Sequence, residues 1–321
     1  MSAADRGVTV IVPLFNEQAS VAELIARLEA ALADVPASRI VLVDDGSVDG
    51  TVEAAAVAAK AGRGPAIHLR RLSRNFGLQK AIAAGLAAAM EHHPPAESIA
   101  VMDGDLQDRP EHLPSLLAAL RDCDVAYAVR SKRRESAAFR AAARIFYATM
   151  SRWSRVPIPA DAGNYCVMRP AAAAAVLANM DENLFFPGLR AWVGFRQRGV
   201  PLERDARSDG NSRMGLRRLL RLAIGAFFGY STLPLQAMLM LAAFTLAGSM
   251  LLAVALAVLR IAGEVQVQGI ALVAILVLGG LGVTLVFLAV LAYMVSRSPA
   301  PMQSRALYVV AEDRTLRAGI E

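Results

Sequence analysis

The chain has 321 residues, 55% of them hydrophobic, so it can bury a core in one large or two ordinary domains. A net charge of +6 points to an anionic partner, whether nucleic acid, a membrane surface or a phosphorylated substrate. Two cysteines, Cys123 and Cys166, without C-x-x-C spacing and four histidines without metal-ligand spacing argue against a disulfide framework and a zinc site.

Ser2 to Gly7 is polar and carries Asp5 and Arg6, which is not the pattern of a secretory signal, so the N-terminal part is expected to stay in the cytosol. Val8 to Pro13 reads as a first strand, followed by Asn16-Glu17 and a helical face of Val21, Leu24, Ile25, Leu28 and Leu32. Arg39 to Val43 is a second strand that ends in Asp44-Asp45-Gly46-Ser47, with a helix from about Gly50 to Ala61. Ile67 to Leu72 is a third strand leading into Ser73-Arg74-Asn75-Phe76-Gly77 and an alanine-rich helix to about Met90. A fourth strand begins at Ile99, a helix follows Pro110, and a fifth strand lies near Asp124 to Val129. Strands alternating with helices of this length imply βαβ units and a largely parallel sheet covered on both faces.

The fourth strand carries the pattern that organises the rest. It ends in Asp103-Gly104-Asp105, with Gln107 and Asp108 just beyond. At the carboxyl end of a parallel strand such a loop opens into the crevice where α/β sheets bind ligands. Carboxylates at i and i+2 can converge on a hard divalent cation such as Mg²⁺ or Mn²⁺, which shares its oxygen ligands with substrate phosphates. Taken alone, the same residues also suit a polar turn capping a helix before Pro110.

The C-terminal third is different in kind. Mean hydropathy over the whole chain is +0.42, and the apolar excess sits here. Ser231 to Leu259 is a run of 29 uncharged residues and Val265 to Ser296 a run of 32. Each exceeds the roughly 20 needed to span a bilayer. Arginines precede the first run and follow the second, which places both flanks in the cytosol and makes the pair a hairpin. Arg217, Arg218 and Arg221 interleave with Leu216, Leu219, Leu220 and Ile224, as in an amphipathic helix lying at the membrane surface. Upstream, Arg130 to Arg134 begins a basic stretch that also holds Arg140, Arg144 and Arg152, suited to anionic lipid. The tail from Pro299 to Glu321 carries no interpretable motif.

Four motifs occur in order: Val12-Pro13-Leu14-Phe15-Asn16-Glu17, Val43-Asp44-Asp45-Gly46-Ser47-Val48-Asp49-Gly50-Thr51, Ser73 to Gly77, and Asp103 to Asp108. Together they resemble family 2 glycosyltransferases of the GT-A fold. More narrowly they resemble the polyisoprenyl-phosphate glycosyltransferases, the group containing dolichol-phosphate mannose synthase and the bacterial GtrB-like enzymes. Trp192 to Phe195, Arg204-x-x-Arg207 and Gly210 to Arg213 extend the likeness, which runs from about Val8 to Met294.

The resemblance implies roles residue by residue. Pro13, Glu17, Asp44, Asp45, Asn75, Lys80, Asp103, Gly104, Arg204, Arg207 and Arg213 would bind the nucleotide-sugar. Asp103, Asp105 and Gln107 would hold Mg²⁺ or Mn²⁺, with Asp105 the leading ligand and a catalytic residue. Arg130, Arg144 and Ser212 would hold the acceptor phosphate, with Arg130 also catalytic. One departure stands out: Gly163-Asn164-Tyr165-Cys166-Val167 occupies the place where the family often has Gly-Asp-Phe-Arg-Leu. Asn164 cannot take a proton, which leaves the base unassigned; a phosphate dianion would attack without one, with Asn164 orienting it. Arg109 and Arg213 replace a usual Pro and Lys with little expected effect.

The expectation is therefore an α/β, GT-A (Rossmann-like, mostly parallel) catalytic domain over residues 1–214, an interfacial helix over 215–230, a membrane hairpin over 231–298 and a cytosolic tail over 299–321. It would transfer one sugar, with inversion, from a nucleotide-sugar to polyprenyl phosphate at the cytoplasmic face of a bacterial inner membrane. The resemblance favours a UDP-sugar as donor and undecaprenyl phosphate as acceptor. A homo-oligomer is compatible with the paired spans, and nucleic acid is not an expected partner. The rival readings are a non-catalytic membrane scaffold of the same fold and a processive polysaccharide synthase, for which no Gln-x-x-Arg-Trp motif is present.

Overall fold

The computed structural model describes residues 7–35, 37–92, 98–130, 162–180, 185–203 and 306–319, with isolated positions between 240 and 295. Apolar runs that read as buried strands are so. Strands β1 (Val8–Leu14) and β4 (Ser98–Val101) are buried along their whole length, β2 (Arg39–Asp44) is so apart from Arg39, and β3 (Ala66–Leu72) mixes buried and part-buried positions. These four pair in parallel, in the spatial order β4-β1-β2-β3. The helices α1 (Val21–Ala31), α2 (Thr51–Ala61) and α3 (Leu78–His92) make the crossovers. Two apolar clusters form, one on each face: Val10, Val12, Leu42 and Leu69 point to one, Ile11, Val41 and Val43 to the other. That is the burial expected of a sheet covered on both sides.

Beyond β4 the sheet becomes mixed. A short 3-10 turn (Pro110–His112) and α4 (Leu113–Ala119) lead to β5 (Val125–Arg130). Strand β6 (Ala162–Met168) then runs antiparallel between β4 and β5. Helices α5 (Pro170–Ala178) and α6 (Phe186–Trp192) follow, and β7 (Gln197–Leu202) pairs in parallel with β5. The full order is β7-β5-β6-β4-β1-β2-β3-β8, where β8 (Val310–Arg317) lies antiparallel on β3. Because β6 runs against its neighbours, its first residues lie at the edge where β1, β2, β4, β5 and β7 end.

Strand β8 comes from the stretch that carries no motif in the sequence. Charged residues fix it. Asp313 accepts from Arg70 Nε at 2.9 Å and Nη2 at 2.6 Å and also bonds His68, and Arg70 in turn reaches Glu91 at 2.6 Å. At the far end Arg317 pairs with Glu29 at 2.6 Å and donates to the carbonyls of Pro65 and Ala59.

The chain divides into two units. One comprises Met1–Arg152, Val156–Leu219 and Arg305–Glu321, and the other Trp153–Arg155 and Leu220–Ser304. In the second unit the described positions between Met240 and Val295 are helical apart from Ala262, and apolar side chains such as Leu251 (74%) and Ile261 (87%) are exposed. Among the described residues no helix is long and apolar enough to cross a membrane. The expected interfacial helix lies outside the described residues, and the two apolar runs are described only at isolated positions.

The clasp on β8 is testable. Burial works against the Asp313 charge, but the hydrogen bonds from Arg70 and His68 win and hold this carboxyl below the usual carboxylate range. A carboxyl titrating lower in the folded chain contributes stability that is complete above about pH 4 and is lost as the pH falls through its folded value. Replacing Asp313 by Ala leaves the buried Arg70 with Glu91 and the Ala84 carbonyl. The expected cost is about 1–3 kcal/mol, the upper part trimmed because Asp313 is itself part-exposed. Urea unfolding at pH 7 and pH 3 checks both points: the difference between wild type and Asp313→Ala should shrink at the lower pH.

Candidate active site

The parallel strands deliver four loops to one edge of the sheet, and the sequence builds each for close approach to the next. After β1 comes Asn16 at φ 55°, after β2 Gly46 at φ 69°, and within the Asp103–Asp108 loop Leu106 at φ 58°. Left-handed backbone at a non-glycine residue is uncommon and gathers at functional sites. A side chain at Gly46 would meet the Arg74 backbone at 2.4 Å, so only glycine lets these two loops touch.

The β1–α1 and β2–α2 loops are laced together by backbone-to-side-chain bonds. Asn16 and Glu17 donate their N–H groups to Ser47 Oγ at 3.0 Å and Thr51 Oγ1 at 2.8 Å. In return Val48 N–H donates to Asn16 Oδ1 at 3.0 Å and Gly50 N–H to Gln18 Oε1 at 3.0 Å. Glu17 itself is half-buried, with one carboxylate oxygen accepting from Ser20 Oγ at 2.6 Å.

Asp44 and Asp45 are 0% and 3% exposed. Asp44 accepts from Ser47 N–H and pairs with Arg71 at 3.2 Å. Asp45 accepts from Phe76 N–H at 2.7 Å and Gly77 N–H at 2.8 Å, tying down the β3–α3 loop. Burial pushes the Asp45 carboxyl up, and the two N–H donors oppose the shift. Pro13 is buried at the end of β1, Asn75 is exposed on the loop Asp45 holds, and Lys80 lies in the first turn of α3.

On the other side of β1, Gly104 is packed so closely that a Cβ would stand 2.8 Å from the Pro13 carbonyl oxygen and 2.7 Å from Leu14. Asp103 and Asp105 flank it and are half-buried. Asp105 accepts from Gln107 through the backbone N–H at 3.2 Å. The antiparallel register that pairs Val101 with Cys166 brings Asn164 opposite Asp103, and Asn164 Nδ2 donates to Asp103 Oδ1 at 3.0 Å. The amide therefore has a role visible in the fold: it fixes one oxygen of Asp103. Tyr165, on the other face of β6, donates its hydroxyl to the Arg109 carbonyl at 3.2 Å and so holds the downstream end of the same loop.

As a metal site the donor set is small and all oxygen: two half-buried carboxylates on one loop. Among the described residues there is no group of three or more carboxylates, imidazoles or thiols that could hold an ion. This composition fits Mg²⁺ or Mn²⁺, which keep water or substrate phosphate in several positions, and not a cation caged by protein.

Arg130 closes β5 at this same edge, and β7 ends there at Leu202. Arg144, Arg204, Arg207, Ser212 and Arg213 lie outside the described residues. Ser47 and Thr51 belong to the second motif but had no role assigned from sequence, and sequence reasoning missed Arg190 of α6, a buried arginine with no carboxylate partner among the described residues. The signal for Arg190 was a lone charge in the short apolar helix Phe-Pro-Gly-Leu-Arg-Ala-Trp.

With this geometry in hand, comparison with known proteins can be read. Residues 9–177 match the family model for glycosyl transferase family 2. An uncharacterized glycosyltransferase of Synechocystis is 31% identical over 95% of this chain and 94% of its own length. An undecaprenyl-phosphate 4-deoxy-4-formamido-L-arabinose transferase of Salmonella paratyphi A is 31% identical over 79% of this chain and 77% of that protein. Glucosyl-3-phosphoglycerate synthase from Mycobacterium tuberculosis, solved with Mn²⁺, UDP-glucose and phosphoglyceric acid, aligns at TM-score 0.46 and 17% identity, over 69% of this chain and 77% of that one.

The bonds to Asp45 predict their own loss. Asp45→Ala removes the acceptor for two N–H groups and should cost about 2–3 kcal/mol in urea unfolding. Hydrogen exchange should speed up first at Phe76 and Gly77; unchanged exchange there would show that Asp45 does not hold the loop.

Proposed function

The chain belongs to glycosyltransferase family 2, and on that premise we propose that it transfers a single sugar from a nucleotide-sugar to polyprenyl phosphate on the cytoplasmic face of a membrane. The observation that carries the reading is the Asp103–Asp105 pair at the carboxyl edge of β4, with Asn164 bonded to Asp103. Similarity to an undecaprenyl-phosphate transferase supports the acceptor class.

The residues divide the work by position in the sheet. The laced loops after β1 and β2 make a rigid floor beside Glu17, suited to a ribose and base. Asp103 and Asp105 would hold Mg²⁺ or Mn²⁺, which when bound supplies Lewis-acid neutralisation of the diphosphate leaving group. Asn164 keeps Asp103 aimed and has no proton-accepting role. An acceptor phosphate monoester, with a second pKa of about 6, needs little help from a base. One of its oxygens forms the new bond to the anomeric carbon from the face opposite the breaking C–O bond, whose electron pair leaves with the nucleoside diphosphate. That geometry inverts the anomeric centre. Arg130, Arg144, Arg204, Arg207, Ser212 and Arg213 are proposed to clamp the phosphates, a task for which the guanidinium fork is suited.

Membrane attachment rests on the two long uncharged runs and on the arginines flanking them. The expected setting is a bacterial inner membrane with the catalytic domain in the cytosol. The protein should stay with the membrane fraction after an alkaline carbonate wash, and release into the supernatant would remove the spans from this account.

A radiolabelled transfer assay tests the reaction. Purified protein receives undecaprenyl phosphate, Mg²⁺ or Mn²⁺ and a panel of UDP- and GDP-sugars, with and without EDTA. One donor should give an EDTA-sensitive lipid product, with UDP-sugars favoured. Asp105→Ala should reduce turnover at least a hundredfold while leaving the melting temperature within a few degrees, since a part-exposed loop carboxylate contributes little to folding. Nucleotide binding without turnover by any donor would instead favour the scaffold reading, which Asn164 alone supports.

A further inference from the structure

Arg190 is the largest fully buried side chain among the described residues, 1% exposed. Its Nη1 donates to the Gly163 carbonyl at 3.2 Å, and its guanidinium lies 4.4 Å from the centroid of the Tyr127 ring. Its Nε is buried without a hydrogen-bond partner. Among the described residues no carboxylate pairs with it, in contrast to the buried Arg70, which holds both Asp313 and Glu91. The neighbouring Cys166 thiol does not serve as its counter-anion, because burial pushes that thiol up and keeps it neutral.

A permanent cation taken out of water without an anion is strongly disfavoured. Such a group persists where something else on the molecule's working cycle supplies the charge. Its location says what. Arg190 bonds the residue immediately before Asn164 and stacks on Tyr127 of β5, so it sits on the β5–β6 side of Asp103. The loops suited to the nucleotide lie on the opposite side, after β1 and β2. The donor diphosphate would be met by the cation held at Asp103 and Asp105 and by the proposed arginines after β7, so the anion left for the guanidinium behind Gly163 is the acceptor phosphate.

We propose that Arg190 is a positioning residue for the acceptor phosphate: its buried, carboxylate-free guanidinium holds the start of β6 through Gly163 and provides the positive field into which that phosphate settles beside Asn164. It does so without touching the phosphate, through a low-dielectric layer in which a charge is felt more strongly than in water. The inference rests on the polyprenyl-phosphate reading of the function.

The test compares Arg190→Met, which fills similar volume without charge, with Arg190→Lys, which keeps the charge and loses the fork. Arg190→Met should melt close to the wild type, because removing an uncompensated buried charge offsets the lost bond to Gly163. Its KM for undecaprenyl phosphate should rise about tenfold, as expected for a unit charge acting across a low-dielectric layer, with the KM for the nucleotide-sugar within twofold. The rise in melting temperature that undecaprenyl phosphate gives the wild type should be lost. Arg190→Lys should recover most of the acceptor affinity. Unchanged acceptor KM in a folded Arg190→Met, or equal rises in both KM values, overturns the proposal. Where Arg190→Met does not fold, Arg190→Lys decides: a tenfold acceptor defect with the charge retained assigns Arg190 to structure alone. A wild type that melts higher with undecaprenyl phosphate yet transfers nothing to it sinks the proposed reaction, and the melting shifts of the two variants still judge Arg190.

Discussion

Two adjacent carboxylates buried at the end of one strand are the constraint on which the rest of the site depends. Asp44 and Asp45 follow each other out of β2 with almost no exposure, and burial of two like charges side by side is strongly unfavourable unless each finds donors. They find them on different loops. Asp44 turns back on Ser47 and across to Arg71, while Asp45 takes the two N–H groups of Phe76 and Gly77. The penalty of leaving either one unsatisfied is what makes the β2–α2 and β3–α3 loops rigid. Gly46, between the two loops, has to be glycine because the Arg74 backbone fills the space its side chain would need.

The same economy of charge explains Asn164. A carboxylate there would stand about 3 Å from Asp103, and two ionised oxygens at that distance repel unless a cation lies between them. The amide replaces repulsion with a hydrogen bond, so Asp103 is held whether or not a cation is bound. A base at this position is dispensable when the nucleophile is already an anion, and the substitution is coherent with phosphate as acceptor. Arg190 adds a buried positive charge behind the start of β6, on the side of Asp103 away from Asp44 and Asp45.

Much of this was legible in the order of residues, and the limit falls in a specific place. Three of the four parallel strands are largely apolar runs and β3 interleaves His68, Arg70 and Arg71, yet all four end in polar turns, so their existence and the edge where Asp103, Asp45 and Glu17 lie could be read directly. The antiparallel additions could not. Val310–Arg317 is half charged, and what makes it a strand is pairing with residues some 240 positions earlier, through Asp313 and Arg70. Likewise Asn164 looks like a lost base until the register of β6 on β4 sets it against Asp103. The acidic pair was recognised as part of the site, yet its hydrogen bonds run inward to neighbouring loops, which no local pattern in Val43-Asp44-Asp45-Gly46 reveals.

The return of β8 bears on topology as well as stability. Residues on both sides of Leu220–Ser304 belong to one folded unit, because the chain leaves it near Leu219 and rejoins it from Arg305, forming the edge strand of the same sheet. A segment that starts and ends in one globular unit can cross a bilayer only an even number of times. Two uncharged runs of 29 and 32 residues, separated by a short link with one arginine and one glutamate, would supply two crossings under the proposed membrane reading. The ion pairs of Asp313 and Arg317 tie the returning strand to the sheet, and on the proposed membrane reading they would keep both flanks of the two runs on one side. Loss of β8 would remove that restraint while leaving the edge of the sheet that carries Asp103 and Asp105 untouched, since β8 lies on β3, three strands away from β4.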